Sequence, residues 1–163
     1  MQIRPLEAKA DLALVLQFYR DAPDYWQLAE GVAPDDAKAR AFFTDGPPGC
    51  DPAQSYRLGA FIEGRLAGRA ELSFGFPAPG DAYLGFMMFA PSARGAGRGR
   101  ALLAHIEWLA RAAGAKALYL AVLGVNPRGR AFWEREGFTA TGVSAAVGSS
   151  NPRDEVHRLV KAL

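Results

Sequence analysis

Residues 94–100, Arg-Gly-Ala-Gly-Arg-Gly-Arg, constrain the fold of this chain more than any other stretch. They follow an apolar run, Tyr83 to Phe89, and lead into an amphipathic one, Ala101 to Ala113. In the second run Leu102, Leu103, Ile106, Leu109, Ala110 and Ala113 form one stripe, with Arg100, Glu107 and Arg111 opposite, as in a helix with one buried face. The turn therefore joins a strand to a helix. Backbone N–H groups at a helix start lack partners and carry partial positive charge. Glycines let a ligand approach those donors, and Arg94, Arg98 and Arg100 add full charge. Such a turn is an anion cradle, most naturally for a phosphate or pyrophosphate.

The flanking sequence supplies the other elements. Gln2 to Leu6 reads as a short strand. Leu12, Val15, Leu16 and Tyr19 recur at helical spacing, which predicts a helix from about Asp11 to Arg20. Pro34-Asp35-Asp36 opens a second helix that ends near Phe43. Asp21, Asp24, Tyr25, Trp26 and Glu30 fall in the segment between them, read as a loop. Ser55 to Glu63 and Leu66 to Phe74 form a hairpin around Glu63-Gly64-Arg65, and Tyr83 to Phe89 is stopped by Pro91. Gly114 ends the helix after the turn. Ala117 to Leu123 is the next strand, almost wholly apolar and so covered on both faces. Asn126-Pro127 opens a short helix closing at Gly137, and Phe138 to Val147 and Glu155 to Val160 are the last strands, joined through a hairpin loop at 149–154. The order β-α-α-β-β-β-α-β-α-β-β describes an α/β protein with a mixed sheet.

With 163 residues and no clear linker, residues 1–163 are expected to form one domain. A net charge of +2, with arginines gathered near 94–100 and 128–135, argues against a nucleic-acid partner and for a local anionic ligand. Cys50 is the sole cysteine, and no apolar run approaches the roughly 20 residues of a membrane span. The expectation is a cytoplasmic protein without a membrane partner. His105 and His157 are isolated from any acid or thiol spacing that would make a metal site, so no metal is expected.

Two common nucleotide loops do not fit the turn. A P-loop requires Lys-Ser/Thr after its last glycine, and Gly99 is followed by Arg100-Ala101. A Rossmann turn requires a third glycine where Arg100 stands. Instead, Arg94-x-x-Gly97-x-Gly99 at a helix head, preceded by Met87-Met88-Phe89-Ala90-Pro91 and followed by Asn126 and 131–138 (Ala-Phe-Trp-Glu-Arg-Glu-Gly-Phe), resembles the GNAT superfamily of acyl-CoA-dependent N-acetyltransferases. The resemblance is specific from about Tyr83 to Phe138.

What the resemblance implies can be placed by position. The fold would be a mixed, mostly antiparallel sheet flanked by helices, with a splayed central parallel strand pair. The amides of Gly95, Ala96, Gly97, Arg98, Gly99 and Arg100, with Arg94 beside them, would hold the pyrophosphate of acetyl-CoA. Met87, Met88 and Phe89 would run beside the pantetheine arm, with a strand bulge at Met87-Met88. Asn126 would hydrogen-bond that arm, and the helix carrying Trp133 would cover it. A strand N–H near Phe89 would stabilise the oxyanion when a primary amine attacks the thioester. Trp133 stands where many members place a tyrosine general acid, and an indole cannot serve as a proton source at neutral pH. Tyr83 and Tyr119 are replacements by residue type, and packing is favoured for Trp133.

Glu71, an acid among apolar neighbours in mid-strand, is the chosen base, with Asp81 second. Asp24, Tyr25 and Trp26 suit a cationic amine by charge and cation–π contact. The function expected is acetyl transfer to a primary amine, with a small molecule favoured over a protein tail as acceptor. An acyl-CoA-binding module without transferase activity is the alternative. The oligomeric state stays open, a homodimer included.

Overall fold

Seven strands bring the apolar segments of the chain into one sheet. They are β1 (Gln2–Pro5), β2 (Tyr56–Ile62), β3 (Arg65–Phe74), β4 (Ala82–Phe89), β5 (Ala117–Leu123), β6 (Thr139–Ala146) and β7 (Glu155–Ala162). The computed structural model describes residues 1–146 and 155–163, and the hairpin loop expected at 149–154 and the strand end expected at Val147 lie outside them. The strand order is β1-β2-β3-β4-β5-β7-β6. All neighbours are antiparallel except the central pair, β4 and β5. The helices are α1 (Ala8–Asp21), α2 (Asp24–Glu30), α3 (Asp36–Ala41), α4 (Arg98–Ala112) and α5 (Pro127–Arg135).

Local chemistry explains most boundaries. Glu63 (φ 50°) and Gly64 (φ 77°) are both left-handed, the conformation that a two-residue loop needs to match the twist of β2 and β3. Asp35 caps α3 by accepting from the Lys38 N–H at 2.9 Å, worth about 1 kcal/mol. Gly31 (φ 76°) stops α2, donating its N–H to the Gln27 carbonyl at 3.1 Å. The presence of α2 corrects the reading of the 24–30 segment as a loop. Seven residues span under two turns, too few to show a periodicity.

The sheet has two differently covered faces. On one, Leu102, Leu103, Ile106 and Ala110 of α4 pack on Ala70, Leu72, Leu84, Leu118 and Leu120. On the other, Val15, Phe18 and Tyr19 of α1, Trp26 of α2 and Phe42 after α3 cover Phe61 and Met88. Each fully buried large apolar side chain stabilises the fold by about 1.5–3 kcal/mol. Glu107, expected on the solvated side of α4, is buried because Lys161 donates to it at 2.6 Å and Arg111 at 3.3 Å.

The pairing of β4 with β5 covers only Ala82↔Leu118, Tyr83↔Tyr119 and Leu84↔Leu120. Beyond Leu84 the strands separate, so the second half of β4 has a free edge. The register with β3 slips at this point: Leu72 faces Leu84 and Glu71 faces Phe86, which leaves Gly85 as the extra residue. The bulge is therefore at Gly85 and not at Met87-Met88. Glycine is required there, since a Cβ on Gly85 would lie 1.9 Å from Oε2 of Glu71.

Candidate active site

Two cavities open from the point where β4 and β5 part. The larger, about 820 Å³, runs along the free edge of β4 to the glycine turn and is walled by β5 and α5. Gly95 (φ 82°), Ala96 (φ 48°) and Gly97 (φ 72°) are successively left-handed and wrap the chain into the start of α4. Gly97 caps α4 without a side chain, so no acceptor competes for the first-turn donors. Among the described residues, the N–H groups of Gly99 and Arg100 have no partner. Ala90 donates to the Ala67 carbonyl on β3, so strand alternation turns the N–H groups of Met87 and Phe89 toward the gap. This array suits an elongated ligand with an anionic end and an amide-bearing arm.

The three arginines of the turn are less free than their charge suggests. Arg94 forms a two-point pair with Asp24 (2.5 and 3.0 Å) and donates Nε to the Phe89 carbonyl at 3.0 Å. Arg98 folds back onto the Ala93 carbonyl at 3.1 Å, and Arg100 pairs with Glu136 at 3.1 Å. The Arg94 guanidinium holds the Asp24 carboxyl below the usual carboxylate range. Asp24 thus anchors α2 to the turn and lines the larger cavity, which corrects its expected role as an acceptor contact. Ala96, expected in the cradle, does not line the cleft.

Asn126 accepts from the Gly129 N–H through Oδ1 at 2.9 Å and so caps α5. Its Nδ2 has no partner among the described residues and the residue faces the cleft. Trp133 lines the cleft but is 9% exposed and packs edge-on against Phe132 and Phe138. It therefore packs among these rings while forming part of the cleft wall.

The second cavity, about 490 Å³, lies under α1 and α2 and the segment after α3. Its floor is the odd-numbered face of β3. Glu71 is 5% exposed. Its carboxylate accepts from Nη1 of Arg57 at 3.0 Å and from the Ser73 hydroxyl, and its other oxygen faces the Gly85 N–H. Burial pushes the Glu71 pKa above the ordinary carboxylate value against these stabilising contacts. Arg57 completes its fork on the Phe42 carbonyl at 2.6 Å and the Asp45 carbonyl at 2.5 Å. Tyr83 lines this cavity, edge-on to Phe76, and does not line the cleft. Tyr119 and Asp81 line neither cavity. Trp26 is in the wall, 5% exposed. Tyr25, Gly85 and Phe86 line both cavities and mark where they meet.

The model of the Acetyltransferase (GNAT) family matches residues 15–138. The chain belongs to the GNAT acetyltransferase family. The GNAT fold is equally plain in solved structures. An acetyltransferase from Thermus thermophilus superposes with a TM-score of 0.75 at 22% identity, covering 99% of this chain and 96% of that one. A ribosomal-protein-alanine N-acetyltransferase from Brucella melitensis gives 0.74 at 25% identity, with both chains covered in full. The PaiA N-acetyltransferase from Thermoplasma acidophilum, solved in complex with coenzyme A, gives 0.69 at 18% identity over 99% of this chain and 98% of that one. No curated protein matches the chain by sequence.

Sequence reasoning passed over three residues of this GNAT site: Gly85, Arg57 and Arg69. The Arg69 guanidinium is enclosed, with 2% of the residue exposed. The rings of Phe86, Phe42, Tyr19 and Trp26 lie 4.1, 4.2, 4.3 and 5.5 Å from its Cζ. Burial lowers its pKa to about 10, which still leaves it charged at neutral pH. The alternation of β3 was the available signal, since Arg69, Glu71 and Ser73 share one face. Among the described residues, no group of three or more potential metal ligands occurs, and no helix is long and apolar enough to cross a membrane.

Proposed function

We propose that this GNAT protein transfers the acetyl group of acetyl-CoA to the primary amine of a small molecule, by direct attack in a ternary complex. The observation that carries the reading is the meeting of the two cavities at Gly85 and Phe86, beside the buried carboxylate of Glu71. The Gly95–Arg100 turn would hold the pyrophosphate, and the outward amides of Met87 and Phe89 would pair with the pantetheine arm. With the thioester near Gly85, Phe89 stands about 13 Å away along β4, so the outward Met87 N–H, rather than that of Phe89, would meet a developing oxyanion.

Alkylammonium groups titrate near a pKa of about 10, so the amine must lose a proton before attack. Glu71 is the proposed base, acting directly or through one water. Arg57, Ser73 and the Gly85 N–H fix its orientation, while burial raises its proton affinity. Tyr25 replaces Tyr83 as the proposed proton source for the departing thiolate, because it reaches both cavities and burial keeps its phenol protonated. A small acceptor is supported by the walls of the second cavity, where α1, α2 and the segment after α3 leave about 490 Å³.

The test uses thermal unfolding and release of free coenzyme A thiol. Acetyl-CoA should raise the Tm, and Gly97→Trp should abolish the shift, by bulk in the cradle and by strain at φ 72°. No shift in the parent protein would overturn the reading. Binding without thiol release across amines and alanine-led peptides would instead support an acyl-CoA-binding module.

A further inference from the structure

The two arginines beneath the second cavity differ in one respect. Arg57 donates to two carbonyls and a carboxylate. Arg69, on the neighbouring strand, is more deeply buried, yet its Nε and Nη1 have no hydrogen-bond partner among the described residues. They are the only buried side-chain nitrogen or oxygen atoms of the described residues in that condition. Buried polar atoms are nearly always paired, and a charged one without a partner is costly. The four aromatic rings offset part of that cost through cation–π contact, and the Tyr19 hydroxyl lies within hydrogen-bonding reach of the guanidinium, but Nε and Nη1 are left without an acceptor. Tyr19 supplies no counter-charge either, since burial pushes its phenol up to about 12.

Of the other charges of the cavity, two pairs are closed and the remaining two, Asp45 and Arg158, lie at its periphery without an ion-pair partner among the described residues. Lys38 and Glu30 pair with each other at 2.6 Å, and Glu71 pairs with Arg57. Asp45 is exposed at the mouth, and Arg158 stacks over Phe76 at 5.1 Å. Among these groups Arg69 is the one that is both enclosed and short of acceptors, so it is open to an acceptor from outside the chain. Arg69 and Glu71 sit two residues apart on the same face of β3, about 6.6 Å along the strand. An acceptor whose amine reaches the Glu71–Gly85 junction would bring a neighbouring group toward Arg69.

We infer that the acceptor carries a carboxylate close to its primary amine and that Arg69 binds that carboxylate, which makes the acceptor an amino acid or a small amino-acid derivative. The inference rests on the transferase reading above. In an enclosed aromatic setting the ion pair is little screened, and an acceptor without the carboxylate leaves the Arg69 charge unpaired. A peptide N-terminus, whose nearest carbonyl is an amide, lacks the matching group.

The experiment compares common L-amino acids with their carboxamides and with alanine-led peptides. Thiol release is measured with acetyl-CoA saturating, and the Tm is measured with coenzyme A saturating. In the parent protein the preferred amino acid should exceed its carboxamide by roughly a hundredfold in kcat/KM and should alone raise the Tm. Arg69→Met should bring the acid-to-amide ratio near unity by slowing the acid. Arg69→Lys should keep part of the preference. Equal rates for acid and amide in the parent, faster turnover of peptides, or no amino acid that reacts or raises the Tm would each overturn the inference. An absent acetyl-CoA shift would instead overturn the transferase reading itself, so the two failures are distinguishable.

Discussion

Adding one methyl group at Gly85 should disable turnover while leaving acetyl-CoA binding in place. An ideal Cβ at this position falls 1.9 Å from Oε2 of Glu71 and 3.2 Å from its carboxyl carbon. Carbon–oxygen contacts settle near about 3.3 Å, so the carboxylate must withdraw by about 1.4 Å. The other oxygen is held by Arg57 and Ser73 in a site 5% exposed, which leaves little room for that movement. Displacing a reacting group by about 1 Å costs on the order of a hundredfold in rate. Overpacking a buried site costs about 1–3 kcal/mol. At about 2–4 °C per kcal/mol for a chain of this size, Gly85→Ala should lower the Tm by about 2–12 °C. The assays are steady-state thiol release, thermal unfolding, and the Tm shift with acetyl-CoA, which the distant cradle should preserve. Since Gly85 also lines the passage between the cavities, the double variant with Glu71→Gln is the control. If the methyl acts through Glu71, the double variant should be little worse than Glu71→Gln alone. Parent-like kcat/KM in Gly85→Ala would refute the placement of Glu71 as base. Additive losses would show that the methyl acts by blocking the passage.

Three further outcomes follow from the charged groups. Glu71→Gln should reduce kcat by about 10²–10⁴-fold. It should also remove the ascending limb of the pH–rate profile, whose pKa in the parent lies above the ordinary carboxylate value because burial raises it. A retained limb would assign that limb to another group. Asp24→Asn should lower stability by no more than about 1 kcal/mol, because the pair with Arg94 is partly exposed. Arg94 depresses the folded pKa of Asp24, so its contribution is present above the unfolded carboxylate pKa and is lost as pH falls through the depressed value. The Tm difference from the parent should close over that acid range and persist at neutral pH. Lys161→Met should cost about 1–3 kcal/mol, read in chemical denaturation, because Glu107 keeps only Arg111 as a partner while remaining buried. A neutral result would place Glu107 in contact with water.

The cofactor half of the site was legible because it is built from local sequence. The positive-φ glycines adjoin the start of α4, the N-cap Asn126 adjoins the start of α5, and the geometry of each follows from residue type. The acceptor half is assembled across distance. Arg69, Glu71 and Ser73 read as a polar strand face, and nothing within β3 announces that α1 and α2 cover it. The bulge at Gly85 was misplaced because it depends on a side chain of the facing strand. Glu107 is buried against the sequence expectation for the same reason, since its partner Lys161 is 54 residues away. Asp24 suited an ammonium ion by charge, but its partner proved to be Arg94, 70 residues away.

The contrast between Arg57 and Arg69 shows why a buried charge points to a ligand only when its neighbours are counted. Both rise from adjacent central strands toward the same helices, and both are almost wholly buried. Around Arg57 the chain supplies the Phe42 and Asp45 carbonyls and the Glu71 carboxylate, so that arginine pins the segment after α3 to the sheet. Its removal should loosen the cavity wall and misalign Glu71 together, a structural loss in the first place. Around Arg69 the same segment offers the ring of Phe42, and α1 and α2 offer Tyr19 and Trp26. Rings tolerate a guanidinium but do not complete it. A chain that satisfies one arginine fully and surrounds the next with aromatic faces has left a donor set that an anion in the cavity would finish. The charge is then balanced only in the complex, and the acceptor is selected by the group next to its amine rather than by the amine itself.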